Sequence, residues 1–236
     1  MKEHKDLLVS LAGQRGISLN DKAASKLLHY AGEIERWSRV YNLTGAAGIE
    51  KILREHIVDS LSLLILKSIH QAENILDIGT GAGLPGIVLA ILLPETEISL
   101  LEANGKKARF LKNMVIDLGL NASVLEGRAE ELGHNGLFRG RYDLVTARAL
   151  ARMNILLELS VPFLRVGGHV VAMKGPDYAA DIAEATRALE ILQCGDLQVT
   201  NVSISEKQRY LLDITKLSPT PETYPRRTGI PGKRPL

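Results

Sequence analysis

The chain has 236 residues, 45% hydrophobic and 24% charged, enough to bury a sizeable core without metal or disulfide staples. One cysteine, Cys194, excludes an intrachain disulfide framework and a zinc ribbon, and an aromatic content of 4% argues against a base-stacking sheet for holding nucleic acid. The formal net charge of +2 hides an uneven distribution: residues 224–236 carry Arg226, Arg227, Lys233 and Arg234 with no acid, +4, which leaves −2 for residues 1–223.

The polar start MKEHKDLLVS does not read as a signal peptide. The longest apolar stretch of the glycine-rich half, Ile87 to Leu93, is far too short to span a membrane; with one thiol and no export signal, the cytoplasm is the expected compartment. Residues 1–73 read as a helical segment packed on the core. Leu27, Ala31, Ile34, Trp37 and Tyr41 form one helix face, with Ser18 and Asp21 as a capping box before it. Ile49, Ile52, Leu53, Ile57, Leu61 and Leu64 form a second periodic stretch.

From Asn74 the pattern changes to short apolar runs between helical segments. Strands are expected at Ile75–Ile78, Ile98–Leu101, Ser123–Leu125, Tyr142–Val145 and His169–Met173. The clearest helices are Lys106–Leu118, closed by Gly119, and Met153–Leu164, closed by Gly167-Gly168. Leu197–Ile204 and Arg209–Thr215 are separated by only Ser205–Gln208, so they must pair antiparallel. The expectation for residues 74–218 is a mostly parallel α/β sheet of seven strands ending in an antiparallel hairpin. Residues 219–236 are expected to form a basic Pro/Arg-rich tail, extended or mobile.

Asp77-Ile78-Gly79-Thr80-Gly81-Ala82-Gly83-Leu84-Pro85-Gly86 lies where the first strand turns into a helix. Glycines there allow positive φ and close approach of a ligand to the backbone. Gly81-x-Gly83-x-x-Gly86 also fits a dinucleotide fingerprint, so an NAD-dependent oxidoreductase stands as an alternative. Against it, Asp77 places an acid beside the loop and Pro85 removes a helix N–H, which suits a cation better than a pyrophosphate. S-adenosylmethionine carries an ammonium and a sulfonium, and D-x-G-x-G-x-G resembles the first motif of the class I (Rossmann-like) methyltransferases. Glu102, 23 positions after Gly79, fits a ribose acceptor for either cofactor. Ala129-Glu130, after the third strand, is the expected adenine contact, with Glu131 a competitor.

The acceptor is narrowed by what is missing. Where amino-methylating enzymes carry [N/D/S]-P-P-[Y/F], this chain reads Thr146-Ala147-Arg148-Ala149. Cys194, expected at a late helix end, is away from the site as a nucleophile, and no Asp/His cluster has metal-ligand spacing. What remains are cations: Arg148, Arg128 and Lys174. Guanine N7 bears a lone pair and no proton, so its methylation needs alignment rather than a base. The chemistry fits N7 by elimination, which alone would not name it.

Separated motifs then add a family resemblance. They are Trp37-x-x-x-Tyr41-Asn42-Leu43-Thr44, His56-x-x-Asp59-Ser60-Leu61, the glycine loop, Lys106-x-x-x-Phe110-Leu111, Arg148-Ala149, Met173-Lys174-Gly175 and Tyr224-Pro225-Arg226-Arg227 with Gly229-Ile230-Pro231. In this order they resemble the bacterial 16S rRNA guanine-N7 methyltransferases, the RsmG or glucose-inhibited division protein B family. The resemblance implies methyl transfer from S-adenosylmethionine to a guanine in the decoding-region loop of small-subunit rRNA. It implies cofactor contacts at Gly79, Leu84, Glu102, Ala129-Glu130 and Arg148, to which the loop adds Gly81 and Gly83. Arg148, Lys174 and Arg128 are the expected substrate-positioning cations. Arg209 stands behind them, and Arg226, Arg227, Lys233 and Arg234 are expected on RNA phosphates. His56 and Asp59, three apart, read as structural, and Asn42 as a cap or turn. Lys106, Lys107, Arg109, Lys112, Arg139 and Arg141 read as solvated or phosphate-facing. The partner expected is 16S rRNA or the small ribosomal subunit, with no membrane and a monomeric chain. A non-catalytic ribosome-assembly factor is the remaining alternative.

Overall fold

Seven short runs rich in Val, Ile and Leu, bounded by turn residues, pair into one sheet in the order β3-β2-β1-β4-β5-β7-β6. The strands are β1 (Asn74–Ile78), β2 (Glu97–Glu102), β3 (Ala122–Glu126), β4 (Tyr142–Arg148), β5 (Leu164–Lys174), β6 (Cys194–Asn201) and β7 (Tyr210–Lys216). The first five are parallel; β7 runs antiparallel between β5 and β6. In this computed structural model residues 2–41, 43, 45, 48–203 and 208–236 are described, with side chains for all but 40 and 41. Asn42, Thr44 and most of the β6–β7 connector lie outside the described residues.

Helices cover both faces of the sheet. On one face lie α1 (Lys2–Gly13), α2 (Asp21–Tyr41), α6 (Gly86–Leu92) and α7 (Gly105–Asp117). There Leu8, Leu27 and Ile34 join Ile87, Leu89 and Phe110 in one apolar cluster. The stretch with period three to four after α2 becomes α3 (Ile49–Ile52), a π-helical turn (Leu53–Ile57), α4 (Val58–Leu61) and a 3-10 turn, followed by α5 (Lys67–Gln71). On the other face α8 (Ala129–Leu132), α9 (Met153–Ser160), α10 (Tyr178–Glu184) and α11 (Thr186–Ile191) lie over Val145, Val170 and Leu212. Among the described residues no helix is long and apolar enough to cross a membrane.

Several sequence expectations are corrected. The cap of α2 is Asn20, whose Oδ1 accepts from Ala23 N at 2.8 Å, not Ser18. The helix expected to Leu164 stops at Ser160, because Pro162 converts the chain into a 3-10 turn that feeds β5. Gly167-Gly168 therefore lies inside β5; a Cβ at Gly168 would sit 2.9 Å from Asp143 O. Cys194 opens β6 rather than ending a helix.

The tail is also not extended. It ends in α12 (Ile230–Lys233) and is packed on the α8–α9 side. Arg139 donates to four carbonyls, of Gly133, Tyr224, Thr220 and Pro221, at 2.8–3.2 Å. Arg226 donates from its backbone N, Nε and Nη2 to Glu158, whose side chain is fully buried. Arg139 and Arg226, read as phosphate-facing, are thus internal ties.

Candidate active site

The order β2-β1-β4 places the topological reversal of the sheet between β1 and β4, where the C-terminal ends of parallel strands leave a crevice. β1 delivers Asp77 beside Thr146 of β4, and β4 ends on Arg148. The glycine loop fills the gap between β1 and α6. Gly79, Gly81 and Gly83 all adopt positive φ, 64°, 62° and 96°. Among the described residues, a Cβ on Gly81 would meet nothing nearer than Gly79 O at 3.9 Å, so this part of the loop has room above it. Gly86, by contrast, is needed for packing: a Cβ there would run into Leu100 and the Asp77 side chain.

Asp77 is fully buried, and its Oδ2 accepts from Gly86 N at 2.8 Å and from the Thr80 hydroxyl. Burial pushes its carboxyl up to about 7, against the Thr80 and Gly86 hydrogen bonds and the charge of Arg148. The N–H of Gly86 is therefore already taken by a side chain, which argues against the dinucleotide alternative. Glu102 ends β2 almost buried; its Oε2 accepts from Gly81 N at 2.9 Å and its Oε1 from Asn104 N at 2.8 Å. Each of these oxygens keeps a lone pair for a hydroxyl donor. Leu84 turns its side chain into the core and donates its N–H to Thr80 O. Ala129 is buried at the start of α8, and Glu130 Oε1 accepts from Gly229 N of the tail at 3.0 Å.

Tyr30 was not singled out from the sequence. It is fully buried, and its hydroxyl donates to Ala82 O at 2.7 Å, pinning the glycine loop to α2. Its signal was available: it is the polar-tipped member of the stripe that holds Leu27, Ala31 and Ile34.

Beside the loop opens a cavity of about 460 Å³ lined by His56, Asp59, Arg148, Lys174 and Arg209, with Glu55 and the Ala149, Met173 and Gly175 backbone region. It brings together Arg148, Lys174 and Arg209; Arg128 is exposed at the start of α8 and does not line it. Asp59 is held between two guanidiniums, Arg148 Nη1 at 3.7 Å and Arg209 Nε at 3.3 Å. Burial lowers the Arg148 pKa, partly offset by Asp59, Tyr30 and Asp77. Lys174 Nζ donates to Asp181 at 2.5 Å and to Ala151 O at 2.8 Å. His56 lines the same wall, with both ring nitrogens buried and unpartnered among the described residues. Burial and the nearby Arg148 lower its pKa to about 4. Burial pushes the Cys194 thiol up to about 12, so it is no thiolate.

Comparison with known proteins agrees with this architecture. The family described as rRNA small subunit methyltransferase G matches residues 23–212. The ribosomal RNA small subunit methyltransferase G of Moorella thermoacetica is 41% identical over 239 residues, covering all of both chains. The protein of that name from Desulfitobacterium hafniense is 38% identical over 240 residues, covering 100% of this chain and 99% of its own. Among solved structures, the O-methyltransferase TomG from Streptomyces achromogenes, in complex with SAM, aligns with a TM-score of 0.55 at 19% identity, over 85% of this chain and 92% of its own. Cofactor-bound Rv0187 from MTB aligns equally well, 0.55 at 20% identity, over 84% and 92%. These two bear on the fold alone.

Proposed function

The chain belongs to the rRNA small subunit methyltransferase G family, and on that premise we propose that it transfers a methyl group from S-adenosylmethionine to N7 of a guanine in small-subunit rRNA. The observation that carries this reading is the juxtaposition of an open glycine loop with a cation-lined cavity at one end of the sheet. The residues present suit the cofactor. Gly81 leaves room over the loop, whereas the space over Gly79 is filled by Leu150, and Glu102 offers acceptor lone pairs for ribose hydroxyls. When bound, S-adenosylmethionine supplies a methyl on sulfonium sulfur; the N7 lone pair makes the new N–C bond while the S–CH3 pair returns to sulfur.

No proton leaves N7, so the protein's task is alignment and charge placement. Arg148 and Arg209, fixed by their shared carboxylate, present donors suited to a guanine O6 edge or a neighbouring phosphate. Lys174, tied to Asp181 and Ala151, adds a positioned ammonium at the cavity floor. Action on ribosomal RNA is consistent with a cytoplasmic enzyme. Small subunits from a strain lacking the enzyme, incubated with methyl-labelled cofactor and digested to nucleosides, are expected to yield label in 7-methylguanosine. Label confined to another nucleoside overturns the proposal.

A further inference from the structure

Within that methyl-transfer reading, we propose that His56 is a catalytic residue: as an uncharged imidazole it accepts a hydrogen bond from N1–H of the guanine being methylated at N7. Three independent observations lead there. First, His56 sits in the π-helical turn Leu53–Ile57 between α3 and α4. Such single turns interrupt otherwise regular helix and are frequent at functional sites. Second, Nδ1 and Nε2 are both buried and neither has a hydrogen-bond partner among the described residues, although one nitrogen of a neutral ring must donate and the other accept. A histidine serving only to tie the fold together would have spent at least one. Third, the ring lines the cavity together with Arg148, Lys174 and Arg209, the cations proposed to hold the acceptor.

The chemistry of the acceptor explains why an uncharged base is useful at that wall. As the N7–CH3 bond forms, the guanine ring becomes cationic and its N1–H becomes a stronger donor. A hydrogen bond from N1–H to a neutral imidazole therefore strengthens between ground state and transition state, which is the condition for raising kcat. A protonated histidine would repel the same ring. Burial and Arg148 keep the ring neutral. The charged groups around it are Glu55 and Asp59 on its own segment, Arg148 at the end of β4, Lys174 at the end of β5 and Arg209 before β7. No proton is transferred to His56 in the step; the bond to N1 stays intact.

The test pairs a protein change with a substrate change. Reconstituted small subunits carry either guanosine or 1-methylguanosine, which lacks N1–H, at the acceptor position. His56→Ala is expected to lower kcat about 10- to 100-fold with little change in KM, the range for one hydrogen bond lost from a transition state. His56→Gln, which keeps an uncharged acceptor, is expected to recover most of that loss. On 1-methylguanosine the wild type should fall by the same factor, and the Ala variant should fall no further. Losses that add, or a wild type indifferent to 1-methylguanosine, overturn the assignment; the second result needs no variant to fold. If instead unmodified subunits take label elsewhere than N7, it is the methyl-transfer reading that fails.

Discussion

Asp77 and His56 titrate abnormally in opposite senses, and both shifts arise first from burial. Folded Asp77 holds its proton up to about pH 7, whereas the unfolded carboxyl has lost it by pH 5. The folded state thus binds the extra proton, and stability declines as pH rises from the ordinary carboxylate range to about 7, by about 1.4 kcal/mol per pH unit. His56 behaves oppositely: it stays neutral in the folded state down to about pH 4, while the unfolded ring protonates below its ordinary value of 6.5. Its contribution rises with pH through that window. Asp77→Asn, which still offers an oxygen to Gly86 N and Thr80, should therefore remove the decline, so that urea stability relative to wild type grows between pH 5 and 7. His56→Gln should show the reverse difference. Parallel profiles for wild type and the Asn variant would refute the placement of Asp77 as a buried, protonatable cap. Gly86→Ala belongs to the same neighbourhood. Its Cβ would overlap Leu100 and Asp77, and a cost of about 1–3 kcal/mol, from overpacking, is expected in chemical denaturation.

Elements carry the next level of control, and α2 is the instructive one. The stripe that makes it amphipathic also delivers Tyr30 to the carbonyl of Ala82, so a helix outside the sheet holds the cofactor loop. Tyr30→Phe should cost about 1–3 kcal/mol, because Ala82 O is left buried without its donor. It should also weaken S-adenosylmethionine binding in calorimetry. Weaker stability with unchanged affinity would make the contact purely structural. Most strands were legible as short apolar runs next to turn residues, such as β1 before Gly79 and β3 before Gly127, and the short connector Ser205–Gln208 left only antiparallel pairing for the last two. The π turn was not legible, since Leu53, Ile57 and Leu61, four apart, satisfy an ordinary helical period whether or not a wider turn interrupts it. The end of α9 was signalled by Pro162, but the apolar Val161, Phe163 and Leu164 around it kept the helical pattern running past the break. In the site, the glycine loop and Arg148 could be read from local spacing. The clamp of Asp59 by Arg148 and Arg209 could not, because it joins segments about 90 and 150 positions apart in a way only tertiary packing decides.

At the scale of the molecule, the basic tail looks from composition like an RNA arm, and the structure divides its charge into two kinds. Arg226 is spent on Glu158, while Arg227, Lys233 and Arg234 are exposed. The tail backbone is held by Arg139 on Tyr224 O and His134 on Pro225 O at 2.6 Å just before Arg226, and by Gly229 N on Glu130 after it. Deleting residues 224–236 would therefore do two things at once. It would remove three outward cations, and it would leave the Glu158 carboxylate buried without its partner, a defect worth about 3–5 kcal/mol. It would also release the helix that starts at Ala129, so a truncated chain losing cofactor affinity would say nothing about RNA. Replacing Arg227, Lys233 and Arg234 together by Ala separates the effects. That variant should melt like wild type and bind S-adenosylmethionine equally well. If the three cations meet phosphates, its rRNA affinity should depend less steeply on salt, with the log–log slope smaller in magnitude by about two to three. Arg226→Ala should do the opposite, lowering the melting temperature and cofactor affinity while leaving the salt slope near that of wild type. A triple variant with an unchanged slope would show that the exposed half of the tail charge does not touch RNA, and the search for the phosphate-binding face would move to α7, with Lys106, Lys107, Arg109 and Lys112.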